Sequence, residues 1–481
     1  MNIKMKNLIR CLSLVSALLF FSNISPMNAQ EVWGLEKCIN YAIEKSLQVE
    51  GSLISLKGTE IEANTARHGR YPNLSANTNV GWNFGRTIDP TRNEFITETF
   101  FNNGFGLNSN VVLYNGNRIN NNISQSLINN KAALKELDQV RRDIALNIAT
   151  LYLNILFAKE NLQNAQNQLV QTKDQLSLLN KQISVGNRPE NDKLDLEAQM
   201  AANEQSIIES QNTLTINLLN LKQLLRLDPD FDLDVSAPGN LDFDTDPDLL
   251  TFSEVYQSAL NNQSGIAASE LRLKSAAIGV KMAQSDLLPT LGAGVSARTN
   301  YSNKGVSVNG FNEQIINQDI IFNGQTTTIG FPQQVPIFEK TPYFNQVSDN
   351  LSYAVGISMN IPIYNNNLTR AGVQRAKLNT QQADLNYVQL KESLKITVGQ
   401  ALADAKAAKS RYQASSKTLQ AQTNLYENAA KRFDIGNLNA FELTRIKTQM
   451  ETSMVNQLIA KYDYLFRIKI LDFYLGRPLK F

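Results

Sequence analysis

Residues 73–84 read NLSANTNVGWNF, and every second residue in this stretch is apolar or small. A side-chain period of two predicts a β-strand whose two faces differ. The second face consists of Asn, Ser and Gly and contains no charged residue. The solvated face of a soluble β-sandwich would be expected to carry Lys and Glu. We therefore favour a membrane strand over the sandwich, with lipid against one face and pore water against the other.

Three further segments repeat the pattern, at roughly 103–114, 289–301 and 346–364. Aromatic residues near the predicted strand ends resemble the interfacial girdles of membrane barrels; they are Tyr71, Trp82, Phe84, Tyr114, Tyr343, Phe344 and Tyr364. Four strands cannot close a barrel, because the smallest single-chain barrels use about eight and lipid does not tolerate an open sheet edge. Several protomers must therefore each contribute four strands.

Self-comparison indicates that the chain contains one unit twice. LEKCINYA at 35–42 resembles FSEVYQSA at 252–259, a shift of 217 positions. Farther along, VLYNGN at 112–117 matches PIYNNN at 362–367, a shift of 250. The second copy therefore holds 33 extra residues, the difference between the two shifts, and we place them in an extended loop at 302–345.

Each copy is predicted to contain a helix, two strands, a long helix and a returning helix. The helices are expected at roughly 33–69, 117–185 and 189–227, and again at 251–287, 367–434 and 438–475. In both long helices apolar residues recur every seven positions, which predicts a coiled-coil seam. The seam residues are Ile148, Ile155, Leu162, Leu169, Leu176 and Ile183, and then Val398, Ala405, Tyr412, Leu419, Tyr426 and Phe433. A helix of about 70 residues is about 100 Å long, so the fold class is mostly α with membrane β and not a compact globule.

The N-terminus has the parts of a secretory signal peptide. Basic residues precede the apolar run CLSLVSALLFF at 11–21, and a cleavage zone ends after Ala29. The predicted organisation is a signal peptide at 1–29, a first repeat at 30–232, a linker at 233–250 and a second repeat at 251–481.

Composition argues against several classes of protein. The chain has 46 Lys and Arg against 44 Asp and Glu, a net charge of +2, so we expect no nucleic acid partner. The mean hydropathy of −0.27 argues against a helical membrane protein. The single histidine, His68, is expected to be solvated, and alone it cannot build the usual triad or zinc site. Cys38 is expected to be a core residue. We predict no enzyme, no cofactor and no metal site.

Short motifs recur in the same order in both copies: YPNLS and LLPTLG before the opening strands, the strand ends VLYNGN and IPIYNNN, and the turns ISVGNRPENDKLDLE and FDIGNLNAFELTRI. With these motifs the mature chain resembles the TolC family of outer-membrane efflux proteins over nearly its whole length. The resemblance implies a homotrimer with one barrel of twelve strands in the outer membrane of a Gram-negative bacterium. The helices would form a coiled α-barrel in the periplasm, with the linker in its equatorial region. Such a channel is the exit duct of a tripartite system, with an inner-membrane pump and a periplasmic adaptor as partners.

The resemblance also assigns roles to the turns between long and returning helices. These turns would form the periplasmic tip and dock the adaptor, through Val185, Gly186, Asn187, Ile435, Gly436 and Asn437. Glycine is also what a helix C-cap demands, so a purely structural role is the alternative.

The family often places acidic residues around the closed aperture just beyond these turns. The candidate gate residues here are Asp192, Asp195, Phe433, Glu442 and Arg445. Arg445 stands where a second acid is expected, so an ordinary surface pair with Glu442, three residues apart, is the alternative. Lys447 is taken to face outward.

Two other functions stay open at this stage. One is a duct of the same fold for metal-ion export or type I protein secretion instead of small molecules such as drugs and toxic compounds. The other is a surface coiled-coil anchor that does not conduct.

Overall fold

The computed structural model describes residues 31–88, 94–97, 99–236 and 245–479. The predicted signal peptide at 1–29 and the middle of the predicted linker, 237–244, lie outside the described residues. The chain divides into two compact units. The helical unit comprises Met1–Gly58, Asn130–Arg272 and Ala383–Phe481, and the sheet unit comprises Thr59–Asn129 and Leu273–Gln382.

The six predicted helices occur in the predicted order, the first of each copy divided into two, and one short α-helix is additional among the described residues. They are α1 (Leu35–Lys45), α2 (Leu47–His68), α3 (Arg118–Ser184), α4 (Asp192–Leu225), α5 (Phe252–Asn262), α6 (Ser264–Ser285), α7 (Tyr343–Asp349), α8 (Leu368–Asp434) and α9 (Ala440–Leu475). The two long helices, α3 and α8, have 67 residues each. Among the described helices, none is both long enough and apolar enough to cross a membrane.

The first predicted helix of each copy is in fact two helices. The breaks fall at Ser46 and Gln263, which are equivalent at the shift of 217, and both residues have extended backbones with ψ of 128° and 106°. The Ser46 hydroxyl accepts a hydrogen bond from the amide of Gln48 at 3.2 Å and so caps the start of α2. The apolar period of the sequence continues across this one-residue break, so the pattern does not reveal it. The expectation of one continuous helix was therefore wrong.

The core of the helical unit contains the predicted seam. Ile148 and Ile155 of α3 are fully buried, as are Val398 and Ala405 of α8. Cys38 is buried as predicted, and this burial raises the pKa of its thiol to about 12. Such a thiol stays protonated at neutral pH, which fits a packing role.

Two short strands close the helical unit beside this core. Strand β1 (Glu31–Trp33) pairs in parallel with β6 (Leu233–Val235), which lies at the start of the predicted linker. The hydroxyl of Tyr152 on α3 donates to the carbonyl of Ser236 at 2.6 Å. The start of the linker, directly after the first repeat, is thus joined to the long helix α3.

The sheet unit contains the four predicted strands in one antiparallel sheet. Its strands are β2 (Asn73–Asn83), β5 (Phe100–Asn115), β7 (Thr290–Ser302) and β10 (Ser352–Asn360), in the order β10-β7-β5-β2. Each copy supplies one hairpin, and the hairpins join through β5 and β7. A short ribbon of β3 (Arg86–Ile88) and β4 (Phe95–Thr97) extends the first hairpin.

The predicted loop at 302–345 contains a second ribbon and a short helix. Strands β8 (Val306–Phe322) and β9 (Gln325–Lys340) form a long hairpin that turns at Asn323 and Gly324. The fourth predicted strand was assigned too early, because residues 343–349 form α7. The buried side chain of Gln346 fixes this helix, since it accepts from the amide of Ser302 at 3.0 Å and donates to the carbonyl of Thr341 at 2.8 Å.

The junction between sheet and long helix shows the duplication at the level of single dihedral angles. Gly116 and Asn117 have φ of 64° and 69°, and their equivalents at the shift of 250, Asn366 and Asn367, have φ of 54° and 62°. Gly adopts this left-handed conformation readily, and Asn does so more often than most other residues. Glycine is needed in the first copy because a Cβ at position 116 would lie 2.9 Å from the carbonyl oxygen of Ser285.

Replacing this glycine is therefore expected to destabilise the fold. Gly116→Ala should lower the free energy of unfolding by more than about 1 kcal/mol, because alanine there meets both a left-handed backbone and a backbone oxygen. Gly372→Ala is the matched control, since a Cβ at that helical position meets nothing within 4 Å; it should raise stability by about 0.5–1 kcal/mol. Urea unfolding followed by circular dichroism measures both, and equal effects of the two variants would contradict the junction argument.

Candidate functional site: the helix tips and the polar layer beside them

The two tip turns, Val185–Asn187 and Ile435–Asn437, end α3 and α8 with the same geometry. Gly186 and Gly436 each have φ of 79°. The amide of Gly186 donates to the carbonyl of Ile183 at 2.9 Å, and the amide of Asn187 donates to that of Gln182 at 2.9 Å. The second turn repeats both bonds, and the pattern is the Schellman motif. The turns therefore need glycine for structural reasons, whatever else they bind.

Arg188, directly after the first turn, holds the second turn. Its guanidinium donates to the carbonyl oxygens of Phe433 at 3.1 Å and Leu438 at 3.0 Å, one on each side of Gly436. It also lies 4.4 Å from the centroid of the Phe433 ring and 3.6 Å from the carboxylate of Asp192. This cation thus satisfies a carbonyl in the last turn of α8, where positive charge is favoured, and a second carbonyl just before α9 begins.

The structure separates the predicted gate residues into two groups. Asp192 and Phe433 meet through Arg188, and Phe433 is buried in a cluster with Leu196, Leu443 and Ile446. Glu442 and Arg445 form a separate, exposed pair at 3.0 Å on one helix. Asp195 is exposed and, among the described residues, forms no ion pair or side-chain hydrogen bond with either group.

The side chain of Asn439 caps α9, because its oxygen accepts from the amide of Glu442 at 2.7 Å. An exposed pair three residues apart on a helix contributes about 0.3–0.5 kcal/mol. Within one chain, the geometry of Glu442 and Arg445 is therefore that of an ordinary surface pair.

Large apolar side chains are exposed around both turns. Val185 is 70% exposed and Ile435 is 71% exposed. Leu194 on α4 and Phe441 on α9 add further apolar surface at 58% and 64%. Exposed apolar residues grouped at the end of an element are typical of a docking surface.

A buried polar layer crosses four helices next to the apolar cluster that contains Phe433. We define it by Thr172 and Gln175 of α3, Gln199 and Asn203 of α4, Tyr426 of α8, and Lys447 and Glu451 of α9. The expectation that Lys447 faces outward was wrong, because its side chain is only 1% exposed. The sequence of α3 predicts an apolar seam, and nothing in it indicates that a cation of α9 would be buried against this helix.

Hydrogen bonds satisfy most of this layer. The ammonium of Lys447 donates to Thr172 at 2.9 Å and to Gln175 at 3.1 Å, and it lies 3.8 Å from Glu451. Asn203 also donates to the Thr172 hydroxyl at 2.9 Å. Burial lowers the pKa of Lys447 and raises the pKa of Glu451, and each partner's charge opposes the other's shift. The layer therefore joins four helices through buried polar groups, at a cost in desolvation.

Sequence reasoning missed Arg188, Leu194, Phe441 and the polar layer. Arg188 left one signal, because its equivalent in the second copy at the shift of 250 is Leu438. A cation in one turn and a leucine in the other break the symmetry of the repeats where the turns otherwise match. For the described residues, no group of three or more His, Cys, Asp or Glu is placed to hold a metal ion.

These features define the class of protein. Two copies of a helix, strand hairpin and coiled helix pair, with four strands in one sheet, are the protomer architecture of an outer membrane channel component. The chain belongs to the outer membrane efflux protein family, whose model matches residues 38–225 and 255–477. This family membership confirms the expectation that the chain is not an enzyme.

Comparisons with individual proteins agree with this family. Outer membrane protein TolC of Salmonella enteritidis is 26% identical over 123 residues, which are 26% of this chain and 25% of TolC. Among solved structures, CusC has a TM-score of 0.74 at 16% identity and covers 92% of each chain. VceC of Vibrio cholerae has a TM-score of 0.72 at 16% identity, over 92% of this chain and 96% of VceC. The solved structures confirm the predicted fold.

The buried pair in the polar layer generates a test. Glu451→Leu should destabilise the protein by about 3–5 kcal/mol, because it leaves the Lys447 cation buried without its counter-charge. The double variant Lys447→Leu/Glu451→Leu should recover most of this loss. Since the pKa of Lys447 in the fold is lowered, the penalty in the single variant is largest at low pH and falls as pH rises towards the unfolded pKa of about 10.4.

The matched control is Glu197→Leu on α4. Glu197 forms a pair with Lys193 at 3.5 Å and the same spacing of four residues, but this pair is partly exposed. Its loss should cost less than about 1 kcal/mol. Urea titrations at pH 6 and pH 9 measure the free energies of unfolding. A double variant that is no more stable than Glu451→Leu would show that the pair is not the source of the effect.

Proposed function

We propose that this chain is the outer membrane channel of a tripartite efflux system in a Gram-negative bacterium. It acts as a homotrimer in which each protomer lends four strands to a twelve-stranded barrel. The channel is a passive exit duct for small molecules, which an inner-membrane pump delivers through a periplasmic adaptor. Because the pump selects the cargo in such a system, drugs and toxic compounds are the proposed cargo class and the duct itself is the role of this chain.

The surface of the four-stranded sheet carries this proposal. Its apolar face is exposed, with Leu74 at 72%, Val355 at 83% and Ile357 at 72%. Its outer strands β2 and β10 each pair on one side only within the described residues. A surface of this kind is stable in lipid only if the edges find partners. Copies of the same chain supply those partners through a β2–β10 contact, and this fits the closed symmetry of most oligomers.

The tips support the partner proposal. Val185, Ile435, Leu194 and Phe441 present apolar surface beside two rigid glycine-capped turns. We assign adaptor docking to this surface, together with Gly186, Asn187, Gly436 and Asn437 of the turns. The alternative cargoes, metal ions or secreted proteins, use the same duct and would be distinguished by the pump that copurifies.

We assign the contact that holds the tip closed to Arg188 instead of Arg445. Arg188 joins both turns of one protomer, whereas the Arg445 pair with Glu442 lies on one helix. Opening of the tip by separation of the helix pairs must break the Arg188 bonds to Phe433 and Leu438. Asp192 orients this arginine, and Phe433 covers it. Asp195, Glu442 and Arg445 are assigned to the charged rim of the aperture.

Two measurements test the proposed function. Native mass spectrometry in mild detergent is expected to give the mass of three chains, and purified protein in a planar bilayer is expected to conduct. A folded monomer, or a trimer that conducts no ions in parent and gate variants alike, would refute the channel and favour the non-conducting anchor.

The gate proposal predicts a difference between arginine variants. Arg188→Ala should raise the conductance of the resting channel several-fold, because hydrogen bonds from a charged group contribute about 1.5–3 kcal/mol. Arg445→Glu should also raise it, by repulsion with Glu442, if the rim faces the pore. Lys417→Glu, at an exposed position on α8, replaces Lys447 as the control and should change nothing. Parental conductance in Arg188→Ala would assign Arg188 to turn stability alone.

A further inference from the structure

The four strands of the sheet contain a single charged side chain, Arg298. Strands β2, β5 and β10 have none, and β7 has this arginine in TLGAGVSARTNYS. A charged residue in a membrane strand is costly on the lipid face. Its position on the sheet therefore decides whether it is a surface accident or a part of the pore.

The register places Arg298 on the polar face. It pairs with Ser352 of β10 on one side and with Gly106 of β5 on the other, and Gly106 pairs with Asn77 of β2. Residues directly opposite each other share a face, so Arg298 lies in one row with Asn77 and Ser352. The next row is Asn79, Gly104 and Asn300.

Glycine keeps the space beside Arg298 open and polar. A Cβ at Gly106 would lie 2.7 Å from the side-chain oxygen of Asn77, and one at Gly104 would lie 2.6 Å from that of Asn79. These asparagine side chains thus lie across the glycine backbones of the neighbouring strand. The result is a depression of about 490 Å³, lined by Asn77, Asn79, Asn108, Arg298, Asn300 and Ser352 among others.

The depression has donors and one cation but no anion. Within the described residues, the Arg298 guanidinium forms no ion pair and no side-chain hydrogen bond, and no lining residue is acidic. Asparagine amides donate hydrogen bonds without adding charge. A guanidinium with amide donors around it matches a carboxylate or phosphate group, which it can hold with two parallel bonds.

We propose that Arg298 and the asparagines around it form a binding site for anionic solutes on the inner wall of the channel. The site rests on the proposed function for its setting, because in the trimer three copies of Arg298 would stand at one level of the lumen. Its ligand is a soluble molecule that carries a carboxylate or phosphate group. The three arginines attract such solutes into the outer part of the duct and make this part selective for anions.

The test uses tripolyphosphate as the probe and Arg298→Gln and Arg298→Lys as the variants. In neutral phosphatidylcholine bilayers at 0.1 M KCl, tripolyphosphate should block the parent channel. Arg298→Gln should weaken this block at least tenfold and shift the reversal potential in a KCl gradient towards cation selectivity. Arg298→Lys should keep the reversal potential, because it keeps the charge, but should weaken the block, because an ammonium cannot form the two parallel bonds of a guanidinium. Since the screening length is about 10 Å at 0.1 M salt and about 3 Å at 1 M, the block should fade at 1 M KCl.

A second measurement separates this site from the channel proposal. Isothermal titration of tripolyphosphate into the detergent-solubilised protein should show binding in the parent and in Arg298→Lys, and a loss of at least tenfold in affinity in Arg298→Gln. A channel that conducts normally, with the same block and reversal potential in Arg298→Gln, would overturn the site and leave the duct standing. A protein that conducts neither as the parent nor as the gate variants, but binds the probe through Arg298, would keep the site and refute the duct.

Discussion

The backbone at the edges of the sheet is the constraint on which the rest of this protein depends. A strand that pairs on one side leaves a row of amide and carbonyl groups without partners, and hydrocarbon offers none. In the described part of the chain β2 and β10 are such edges, and an apolar face lies between them, as expected for a sheet in lipid. The long β8–β9 hairpin has edges too, but β9 contains Pro332 and Pro336, which have no amide hydrogen to offer a further strand. The chain therefore protects the β9 edge, whereas the β2 and β10 edges are left for the proposed pairing between copies.

The helical unit is specified by a different balance. Its seam is apolar over most of its length, and an apolar heptad pattern alone tolerates slippage by one repeat. The polar layer around Lys447 and Glu451 supplies what the seam lacks, because each hydrogen bond exists only in one register. Burial of the pair costs stability unless every partner is in place. Thr172 shows how closely this is arranged, since its hydroxyl accepts from two helices and donates within its own.

Periodicity in the sequence predicted the four sheet strands and the long helices, because alternation and heptads arise from burial on one face. The duplication predicted that each copy contains two of these strands. Three features carried no such signal. The breaks at Ser46 and Gln263 depend on one residue each, and α7 depends on the tertiary contacts of Gln346. Arg188 and Lys447 are polar residues whose burial depends on helices distant in sequence. The local pattern therefore gave no role to Arg188 and placed Lys447 on the surface. The fold does not test the expected roles of the tip and rim residues, so these roles stay proposals.

The contact between Arg188 and the turn at Gly436 has a meaning for the history of the chain. A ring assembled from single repeats would carry the same residue at every turn, and each turn would have to be both donor and acceptor. An arginine at all of these positions would place two cations against each other. Fusion of the repeats removed that restriction, because position 188 and position 438 could then diverge into a cation and a leucine. In the proposed trimer, six turns would share three Arg188 contacts, so each protomer contributes two unlike halves to the tip, which a ring of identical single repeats could not do.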